Sequence, residues 1–500
     1  MGRDIIFIQP TCGKYDLFIL DMPLGLLYAA RLLIAEGYNV HIVDQRVEKG
    51  ETFTKIKKLL ENEPLWVGLT VMTGEPIHHA LVIARFVRKH SNVPIVLGGI
   101  HPTILPEQTL RCEWVDYVIR GKGEYSALAL SRYLENSLLI ENVPGLTWMD
   151  REQHVRNNPE DDESDWGEMP IVPYHLIDVS KYSRVGFNKK IFSIMTSRNC
   201  PYRCTFCYNS SLKKKKRWMP DGLEYIKRHI DYIIEKFKPE YLSFIDDVFF
   251  VDKRRAWKIL SYLEGRAPNM KIGFRGARVS ELIQLEDKFF DLMERLNTRH
   301  INIGVESGSP NILKAIRKGI TVEQVIQLNR RFANRSSFIP LYNFFSGIPQ
   351  ETEEDLQKTT DLIMQLVEEN PHCQISGYHQ YTPYPGNELF KKAVRHGFHE
   401  PNSLEEWSVL HFEDNAQNCP WIDKKRRRLL DTLYSMIYFV DNKYETYIAK
   451  HNLFFKALVP LVQLYKPIAR LRLRRHITAF PVEILAKDLI YRLLSGSTNM

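Results

Sequence analysis

The sequence predicts an α/β protein: an N-terminal Rossmann-like domain, then a partial (β/α)6 barrel, then a mostly helical C-terminal region. In two long regions, short apolar runs alternate with amphipathic helical segments, the pattern of parallel strands and their covering helices. Glycine-rich turns follow several of these runs, where strands end. The length of 500 residues exceeds that of one compact core. We therefore predict a first domain over 1–140, a linker over 141–185, a barrel over 186–385 and the C-terminal region over 386–500.

Each element of the Rossmann-like domain follows from a local pattern. Ile5–Gln9 is an apolar run typical of a buried strand, and Pro23–Glu36 carries apolar residues at helical spacing until Gly37 ends the helix. The linker is polar, has an acidic centre at Glu160–Glu163 and indicates no chemistry. The remaining predicted strands of the domain are Val40–Val43, Trp66–Val71, Ile95–Leu97 and Val115–Ile119.

The barrel region contains six strand patterns separated by helical ones, which suits a partial (β/α)6 barrel. In such a barrel the site lies in the loops at the carboxyl ends of the strands. The predicted strands are Ile191–Met195, Tyr241–Ile245, Ile272–Arg275, His300–Val305, Leu341–Phe345 and Gln374–Tyr378. The clearest predicted helices are Glu224–Lys236, Arg254–Gly265, Glu286–Leu296 and Glu353–Val367.

Composition restricts the class of protein. Hydrophobic residues make up 44% and charged residues 26%, as in ordinary globular proteins, and no run of about 18 apolar residues indicates a membrane span. The N-terminus lacks the apolar core of a signal peptide, so we expect a cytoplasmic protein. The seven cysteines are odd in number and mostly scattered, which argues against a disulfide framework.

Three glycine-containing turns follow predicted strands of the first domain: Thr70–Gly74, Gly98–Pro102 and Gly121–Glu124. Ligands of such sheets bind beyond the carboxyl ends of the strands, and glycines let the backbone approach a bulky ligand. The first strand is followed by Gln9–Gly13 rather than by G-x-G-x-x-G, so we do not expect a nicotinamide dinucleotide.

Three cysteines, Cys200, Cys204 and Cys207, directly follow the first predicted barrel strand. Thiolates are soft ligands that suit iron–sulfur clusters or zinc. Three of them leave one iron of a 4Fe–4S cluster without a protein ligand, so that iron can bind a chelating substrate. Zinc stays an alternative, because Cys373 or Cys419 could supply its fourth ligand.

This CxxxCxxC segment, with Phe206 before its last cysteine, resembles the signature of the radical S-adenosylmethionine (SAM) superfamily. The resemblance implies that the open iron chelates SAM, whose reductive cleavage yields a 5′-deoxyadenosyl radical. Later segments, among them Phe244–Asp247, Asn302–Gly308 and Gly347–Thr352, also resemble the family, although two aspartates replace its usual Gly-Gly-Glu. Arg317 is a further candidate partner of the SAM carboxylate. The implied SAM contacts are Phe206, Asp246, Asp247, Arg275, Glu306, Ser307 and Gly347.

The first domain resembles the cobalamin-binding domain that precedes many radical SAM domains. It lacks the D-x-H-x-x-G motif whose histidine binds cobalt, so the loop Thr70–Gly74 is expected beneath the cobalt. His101 is interpreted as a loop or edge contact rather than a cobalt ligand. The implied cobalamin contacts are Gly25, Thr70, Met72, Thr73, Gly98, Gly99, His101, Gly123 and Glu124.

Two basic stretches leave alternatives open. Phe454–Arg475 interleaves apolar and basic residues, which suits either a helix on an anionic bilayer or a helix packed on the barrel with a basic outer face. Pro460 and Pro467 favour the packed helix, because proline interrupts helices. Lys213–Arg217 is interpreted as a solvated face, with contact to an anionic substrate as the alternative.

The function implied by the resemblance is a cobalamin-dependent radical SAM methyltransferase with unknown catalytic residues. It would methylate an unactivated carbon of a small-molecule or lipid-like substrate. Its partners would be an electron donor such as flavodoxin or ferredoxin and, through the C-terminal region, a membrane surface, with no nucleic acid. A radical SAM cyclase or rearrangement enzyme and a non-enzymatic cobalamin or redox sensor remain alternatives. A methylthiotransferase would need a second cluster, for which Cys12 and Cys112 cannot supply three ligands.

Overall fold

The computed structural model describes residues 3–13, 16, 20–160, 169–182, 191–212, 218–410, 419–450 and 453–497. The basic run Lys213–Arg217 and the acidic residues after Glu160 lie outside this part of the chain.

The first domain is built on a seven-stranded sheet whose order is β2-β1-β3-β4-β5-β6-β7. Its first five strands are parallel, while β6 and β7 form an antiparallel hairpin at the edge. The order changes direction between β1 and β3, and ligands of such sheets bind at this point. The strands are β1 (Asp4–Gln9), β2 (Asn39–Asp44), β3 (Trp66–Thr70), β4 (Ile95–Gly98), β5 (Tyr117–Ile119), β6 (Leu146–Met149) and β7 (Val155–Asn157).

Helices cover both faces of this sheet, which parallel strands require because both of their faces are apolar. Helices Leu24–Ala35 and Gly123–Leu134 pack together on one face, and Thr52–Leu60 and Glu75–His90 pack on the other. The hairpin lies in the segment that the sequence predicted as a linker, and its strands have only four and three residues. The other helices of this domain are Gln45–Glu48, Ile100–Ile104 and Pro106–Leu110.

The second domain contains a six-stranded parallel sheet in the order β15-β14-β13-β12-β11-β8, so all six predicted barrel strands are confirmed. Among the described strands, β15 and β8 do not pair, which leaves the barrel open. A two-residue pair, β9 and β10, flanks the cysteine segment. The strands are β8 (Ile191–Ile194), β9 (Ser197–Arg198), β10 (Met219–Pro220), β11 (Tyr241–Phe244), β12 (Lys271–Arg278), β13 (Thr298–Glu306), β14 (Ile339–Ser346) and β15 (Gln374–Gln380).

The four predicted barrel helices are present, and further helices join them. Thr321 and Gln324 form a capping box at the start of Val322–Ala333, a helix signal that the sequence interpretation missed. The barrel helices are Tyr208–Ser211, Leu223–Phe237, Lys253–Leu263, Val279–Leu282, Asp287–Arg295, Pro310–Ala315, Val322–Ala333 and Glu353–Glu369.

The C-terminal region is helical, as predicted, but its prolines do not have the predicted effect. One helix, Val459–Arg474, contains Pro460 in its first turn, where no backbone N–H is required, and continues through Pro467. Val462, Ala469 and Leu473 are buried on its inner face. The other helices are Glu388–Arg395, Leu404–Trp407, Lys424–Val440, Lys443–Thr446, Leu453–Ala457 and Val482–Ser497.

Candidate active site

The three predicted cluster ligands lie together at the carboxyl ends of the barrel strands. Cys200, Cys204 and Cys207 line one cavity of about 210 Å³. Their loop is held by backbone bonds, since Thr205 N–H donates to Ile316 O at 3.0 Å and Cys207 N–H donates to Cys204 O at 3.2 Å. The loop therefore presents its thiols in a fixed arrangement.

Four of the predicted SAM contacts line the same cavity: Phe206, Asp247, Arg275 and Glu306. Asp247 is accessible from the cavity and accepts a hydrogen bond from the Tyr208 hydroxyl at 2.8 Å. Burial raises the pKa of Asp247, while the Tyr208 hydrogen bond opposes this rise. The cavity thus combines three thiols with carboxylate acceptors and an aromatic ring.

Three other predicted SAM contacts, Asp246, Ser307 and Gly347, are not among the described residues that line this cavity. The buried Asp246 carboxylate accepts from the hydroxyl of Thr196 at 2.8 Å and from that of Ser197 at 2.5 Å. Ser307 shares a hydrogen bond of 2.9 Å with the hydroxyl of Thr359. The N–H of Gly347 donates to the Glu351 carboxylate at 2.7 Å. Each of the three is thus engaged in a hydrogen bond within the protein.

The two arginines predicted to pair with a SAM carboxylate differ in position. Arg275 lines the cavity but also forms an ion pair with Asp21 of the first domain, so it connects the two domains. Arg317 is more than half exposed and pairs with Glu388 at 2.7 Å outside the cavity. A contact between Arg317 and the SAM carboxylate therefore stays a prediction.

Sequence interpretation missed Arg278, which lies beside the thiols. Its Nη1 is 3.3 Å from the Sγ of Cys204, and its guanidinium lies 3.8 Å from the centre of the Tyr202 ring. Arg278 was missed because the predicted strand ended at Arg275, three residues before β12 ends. A buried cation at this place balances the negative charge of a coordinated thiolate.

Lys318 was also missed, and it sets the position of Glu306. The Nζ of Lys318 lies 2.6 Å from the Oε1 of Glu306, and both side chains are largely buried. Glu306 has a φ of 78°, a backbone conformation uncommon for a residue with a side chain. Such conformations concentrate at functional sites, where the surrounding structure holds them. Gly304 leaves the space that the ion pair occupies.

The donor set of this cavity fits a 4Fe–4S cluster better than zinc. Among the described residues, its lining contains no histidine and no fourth cysteine. Cys373, one candidate fourth ligand, is buried in the core and lies 3.3 Å from the backbone oxygen of Leu366. The carboxylates of Asp247 and Glu306 are suitable acceptors for the amino group and hydroxyls of SAM.

A second cavity, of about 140 Å³, lies in the first domain where the strand order changes direction. It is formed largely by small residues of β3, β4 and the helices on one face of the sheet. A Cβ added at Gly123 would lie 3.1 Å from Ala29, whereas one at Gly25 would meet nothing within 4 Å. The predicted cobalamin contacts that line it are Gly25, Thr70, Gly98, Gly99 and Gly123.

The other predicted cobalamin contacts lie outside this lining. Met72 is about half exposed on its loop. The Thr73 hydroxyl lies 3.0 Å from the Nδ1 of the buried His101, whose Nε2 has no hydrogen-bond partner among the described residues. Burial lowers the pKa of His101 to about 3, so its imidazole is neutral. The small-residue cradle by itself fits a bulky ligand beyond β3 and β4.

Glu124 does not face the second cavity, because two arginines occupy its carboxylate. The Nη2 of Arg31 lies 3.1 Å from the Oε1 of Glu124, and Arg198, two residues before Cys200, forms a second ion pair with Glu124. Burial alone would raise the pKa of Glu124, but the two cations and their hydrogen bonds lower it to about 2. The Glu124 carboxylate therefore joins the first domain to the loop that carries Cys200, Cys204 and Cys207, which we call the cluster loop.

Two protein-family models match the regions that contain these cavities. The radical SAM superfamily matches residues 194–363, which include the three thiols. The B12 binding domain matches residues 22–131, which include all the lining residues of the glycine-lined cavity except Phe7.

Known proteins match most of the chain. An uncharacterized methyltransferase of Pyrococcus horikoshii is 31% identical over 376 residues, which are 74% of this chain and 78% of that protein. A structure of the cobalamin-dependent SAM radical enzyme OxsB superposes with a TM-score of 0.72 at 18% identity, covering 94% of this chain and 72% of OxsB. The radical SAM methyltransferase TsrM of Kitasatospora setae has a TM-score of 0.64 at 19% identity, covering 80% of this chain and 76% of TsrM. The two structural matches share the fold.

Proposed function

This chain belongs to the radical SAM enzymes that carry a B12-binding domain, and we propose that it methylates an unactivated carbon of a small-molecule or lipid-like substrate. Its cofactors are a 4Fe–4S cluster, SAM and cobalamin. The observation that carries the proposal is the pair of cavities: one with three thiols, the other lined by glycines at the switch point of a B12-binding sheet. A methyltransferase of this class needs both.

The residues of the first cavity divide the work of binding. Cys200, Cys204 and Cys207 hold the cluster, and Asp247 and Glu306 accept hydrogen bonds from SAM. When bound, the cluster and SAM supply a 5′-deoxyadenosyl radical, and cobalamin supplies the methyl group. Lys318 orients Glu306 through their 2.6 Å ion pair, so the acceptor is in place before SAM arrives.

The second cavity holds part of the cobalamin through shape rather than through charge. Gly25 and Gly123 keep space open between the helices and the sheet, and Thr70, the first residue of the loop Thr70–Gly74, also lines the cavity. The carboxylate of Glu124, bound by Arg31 and Arg198, keeps the cluster loop fixed against this domain. Preorganisation of this kind is what transfer between two cofactors requires.

We propose two further partners. An electron donor such as flavodoxin or ferredoxin reduces the cluster, because this chemistry needs one electron from outside. The C-terminal region makes peripheral contact with a membrane, where a lipid-like substrate would be available. Among the described residues, no helix is both long and apolar enough to span a bilayer.

The test is anaerobic reconstitution of the full chain, followed by analysis of iron, sulfide and bound cobalamin. We expect cluster absorbance, bound cobalamin and formation of 5′-deoxyadenosine from SAM after reduction. The matched control replaces Cys200, Cys204 and Cys207 together by alanine and should lose the cluster and SAM cleavage while it keeps cobalamin. A chain that binds cobalamin without cleaving SAM would instead be a sensor.

Methyl transfer is tested with SAM that carries a deuterated methyl group, incubated with polar and lipid extracts of cells. We expect a labelled product in which one trideuterated methyl group replaces one hydrogen atom of the precursor. A product that forms with 5′-deoxyadenosine but carries no label would contradict methyl transfer and identify a cyclase or rearrangement enzyme.

A further inference from the structure

We infer that the last two helices dock on the surface of an anionic lipid bilayer through an exposed apolar face, which we call the apolar cap. The cap consists of the exposed apolar side chains of helices Val459–Arg474 and Val482–Ser497, together with Leu453, Phe454 and Phe480. This inference deepens the membrane contact in the proposed function by naming its surface and the chemistry of its partner.

The first helix of the cap is apolar on both sides. Its inner face packs through Val462, Ala469 and Leu473, while four residues at spacings of three and four form a stripe on the outer face. Apolar residues at this spacing lie on one side of a helix. The stripe comprises Leu461, Leu464, Ile468 and Leu471, whose exposed fractions are 62%, 76%, 52% and 55%. The packed helix of the sequence prediction is therefore present, but its outer face is apolar rather than basic.

The second helix and the turn before it continue the same surface. Leu485 and Leu489 are more than half exposed, and Phe480 is 85% exposed. Between the two helices lies a groove of about 280 Å³ with an almost entirely apolar lining. Its one carboxylate, Glu483, is buried and bound by Arg472 at 2.8 Å. The groove therefore offers an apolar surface to the acyl chain of a lipid that enters it.

Charge distinguishes a bilayer from a second copy of this chain. Residues 453–497 contain eight lysines and arginines and two acidic residues, a net charge of +6 out of +8 for the whole chain. Two copies joined through the cap would bring these charges together. An anionic bilayer instead attracts them while it buries the apolar stripe, the combination found in helices that lie in a membrane interface.

The exposed basic residues lie where such a helix needs them. Arg475 is exposed directly after the helix that carries the apolar stripe, whereas Arg474, the last residue of that helix, pairs with Glu368 at 2.8 Å. Lys456 and Arg492 are exposed on the neighbouring helices. Long basic side chains at the ends of an apolar face reach lipid headgroups while their stems remain in the apolar layer.

The cap is joined to the barrel rather than suspended from a linker. Helix Lys424–Val440 packs on Val459–Arg474, on Val482–Ser497 and on strand β15. Lys466 also pairs with Glu445 at 2.7 Å, and Arg470 donates to Val440 O at 2.8 Å. Docking through the cap would therefore hold the open side of the barrel in a fixed orientation to the bilayer.

The test is co-sedimentation of the full-length protein with vesicles of phosphatidylcholine alone and of three parts phosphatidylcholine to one part phosphatidylglycerol. We expect binding to the anionic vesicles that weakens as salt is raised. The double variant Leu464→Glu with Ile468→Glu should lower partitioning on the order of a hundredfold. Lys456→Glu with Arg475→Glu should lower it about tenfold on anionic vesicles only.

The matched control is Leu139→Glu, which places the same charge at a comparably exposed leucine, 69% accessible, of the first domain. It should bind vesicles like the unaltered chain. The inference would be overturned if the double variant Leu464→Glu with Ile468→Glu bound anionic vesicles as well as the unaltered chain does. It would also be overturned if the unaltered chain bound no vesicles. If the unaltered chain were a dimer in solution and the Leu464→Glu, Ile468→Glu variant were a monomer, the inference would also be overturned. The cap would then be an interface between copies of this chain.

Failure of this inference is separable from failure of the proposed function. SAM cleavage is measured in detergent-free solution with a chemical reductant for each variant, and the cap variants should retain it. Lost vesicle binding with retained 5′-deoxyadenosine formation supports docking, whereas absent SAM cleavage in the unaltered chain contradicts only the proposed function.

Discussion

The guanidinium of Arg278 donates a hydrogen bond to the sulfur of Cys204 at 3.3 Å, although 74 positions separate the two residues in the chain. Arg278 reaches this place from the end of β12, and its Nη2 also donates to the backbone oxygen of Lys318. The cluster loop, which follows β8, thus meets a buried cation from β12, a strand that β11 separates from β8 in the sheet. The reduction potential of an iron–sulfur cluster depends on such charges and hydrogen bonds.

Replacement of Arg278 by glutamine should make the cluster harder to reduce. Loss of the cation removes a stabilisation of the reduced, more negative cluster, so the midpoint potential should fall by about 60 mV, a tenfold change for one electron. Redox titration followed by electron paramagnetic resonance measures this shift. Arg278→Lys keeps the charge and should shift the potential less, and an unchanged potential in both variants would contradict this role.

Gly304→Ala should weaken SAM binding and leave the cluster intact. The added Cβ would lie 2.4 Å from the Oε1 of Glu306 and 2.7 Å from the Nζ of Lys318, so the ion pair must move. A displaced Glu306 carboxylate should raise the Kd for SAM about tenfold, because the loss of one charge-assisted hydrogen bond weakens binding by about that factor. Calorimetry with the reconstituted protein measures it. Gly50→Ala, where a Cβ meets nothing within 4 Å, is the control; equal Kd values in the two variants would refute this account.

Gly25→Leu should prevent cobalamin binding without unfolding the first domain. A Cβ at Gly25 meets no atom within 4 Å, so the backbone tolerates it, while the leucine side chain fills part of the glycine-lined cavity. We expect cobalamin absorbance to be lost at unchanged iron content and unchanged circular dichroism. Gly50→Leu adds the same side chain in open space outside the cavity and should bind cobalamin normally. Full cobalamin occupancy in Gly25→Leu would place the cofactor elsewhere.

Glu124→Gln should destabilise the junction of the two domains, because it removes the negative charge that forms ion pairs with both Arg31 and Arg198. Breaking a buried pair of this kind costs about 3–5 kcal/mol. Thermal unfolding followed by circular dichroism should show a lower Tm. The exposed pair of Glu36 and Arg132, at 2.9 Å, gives the control: Glu36→Gln should change Tm little.

The effect of Glu124→Gln should depend on pH in a defined direction. The pKa of Glu124 falls from 4.5 to about 2 on folding, so its ionised form contributes stability fully above about pH 4.5. That contribution decreases as the pH falls from 4.5 towards 2, where the folded protein also binds the proton. The Tm difference between the variant and the unaltered chain should therefore shrink over this interval. A difference that stays constant there would show that the ion pair is not its source.

Much of the fold followed from local patterns. The six barrel strands and the strands of the parallel sheet were predicted, because a buried parallel strand is a continuous apolar run that the sequence displays directly. The hairpin Leu146–Asn157 was not predicted, because its strands have only four and three residues, too few to show a clear periodicity. The end of β12 was also placed too early, and Arg278 was missed with it.

The sequence by itself determined the chemistry of the site: Cys200, Cys204 and Cys207 are close in the chain, so their spacing alone specifies a three-thiolate loop. Only the tertiary structure decided what surrounds that loop. Arg278 beside Cys204 and Lys318 beside Glu306 depend on how strands and helices pack, as does the outward apolar face of the last helices. The sequence shows whether a residue is apolar or charged. Its partner across the core depends on the packing of segments that are distant in the chain.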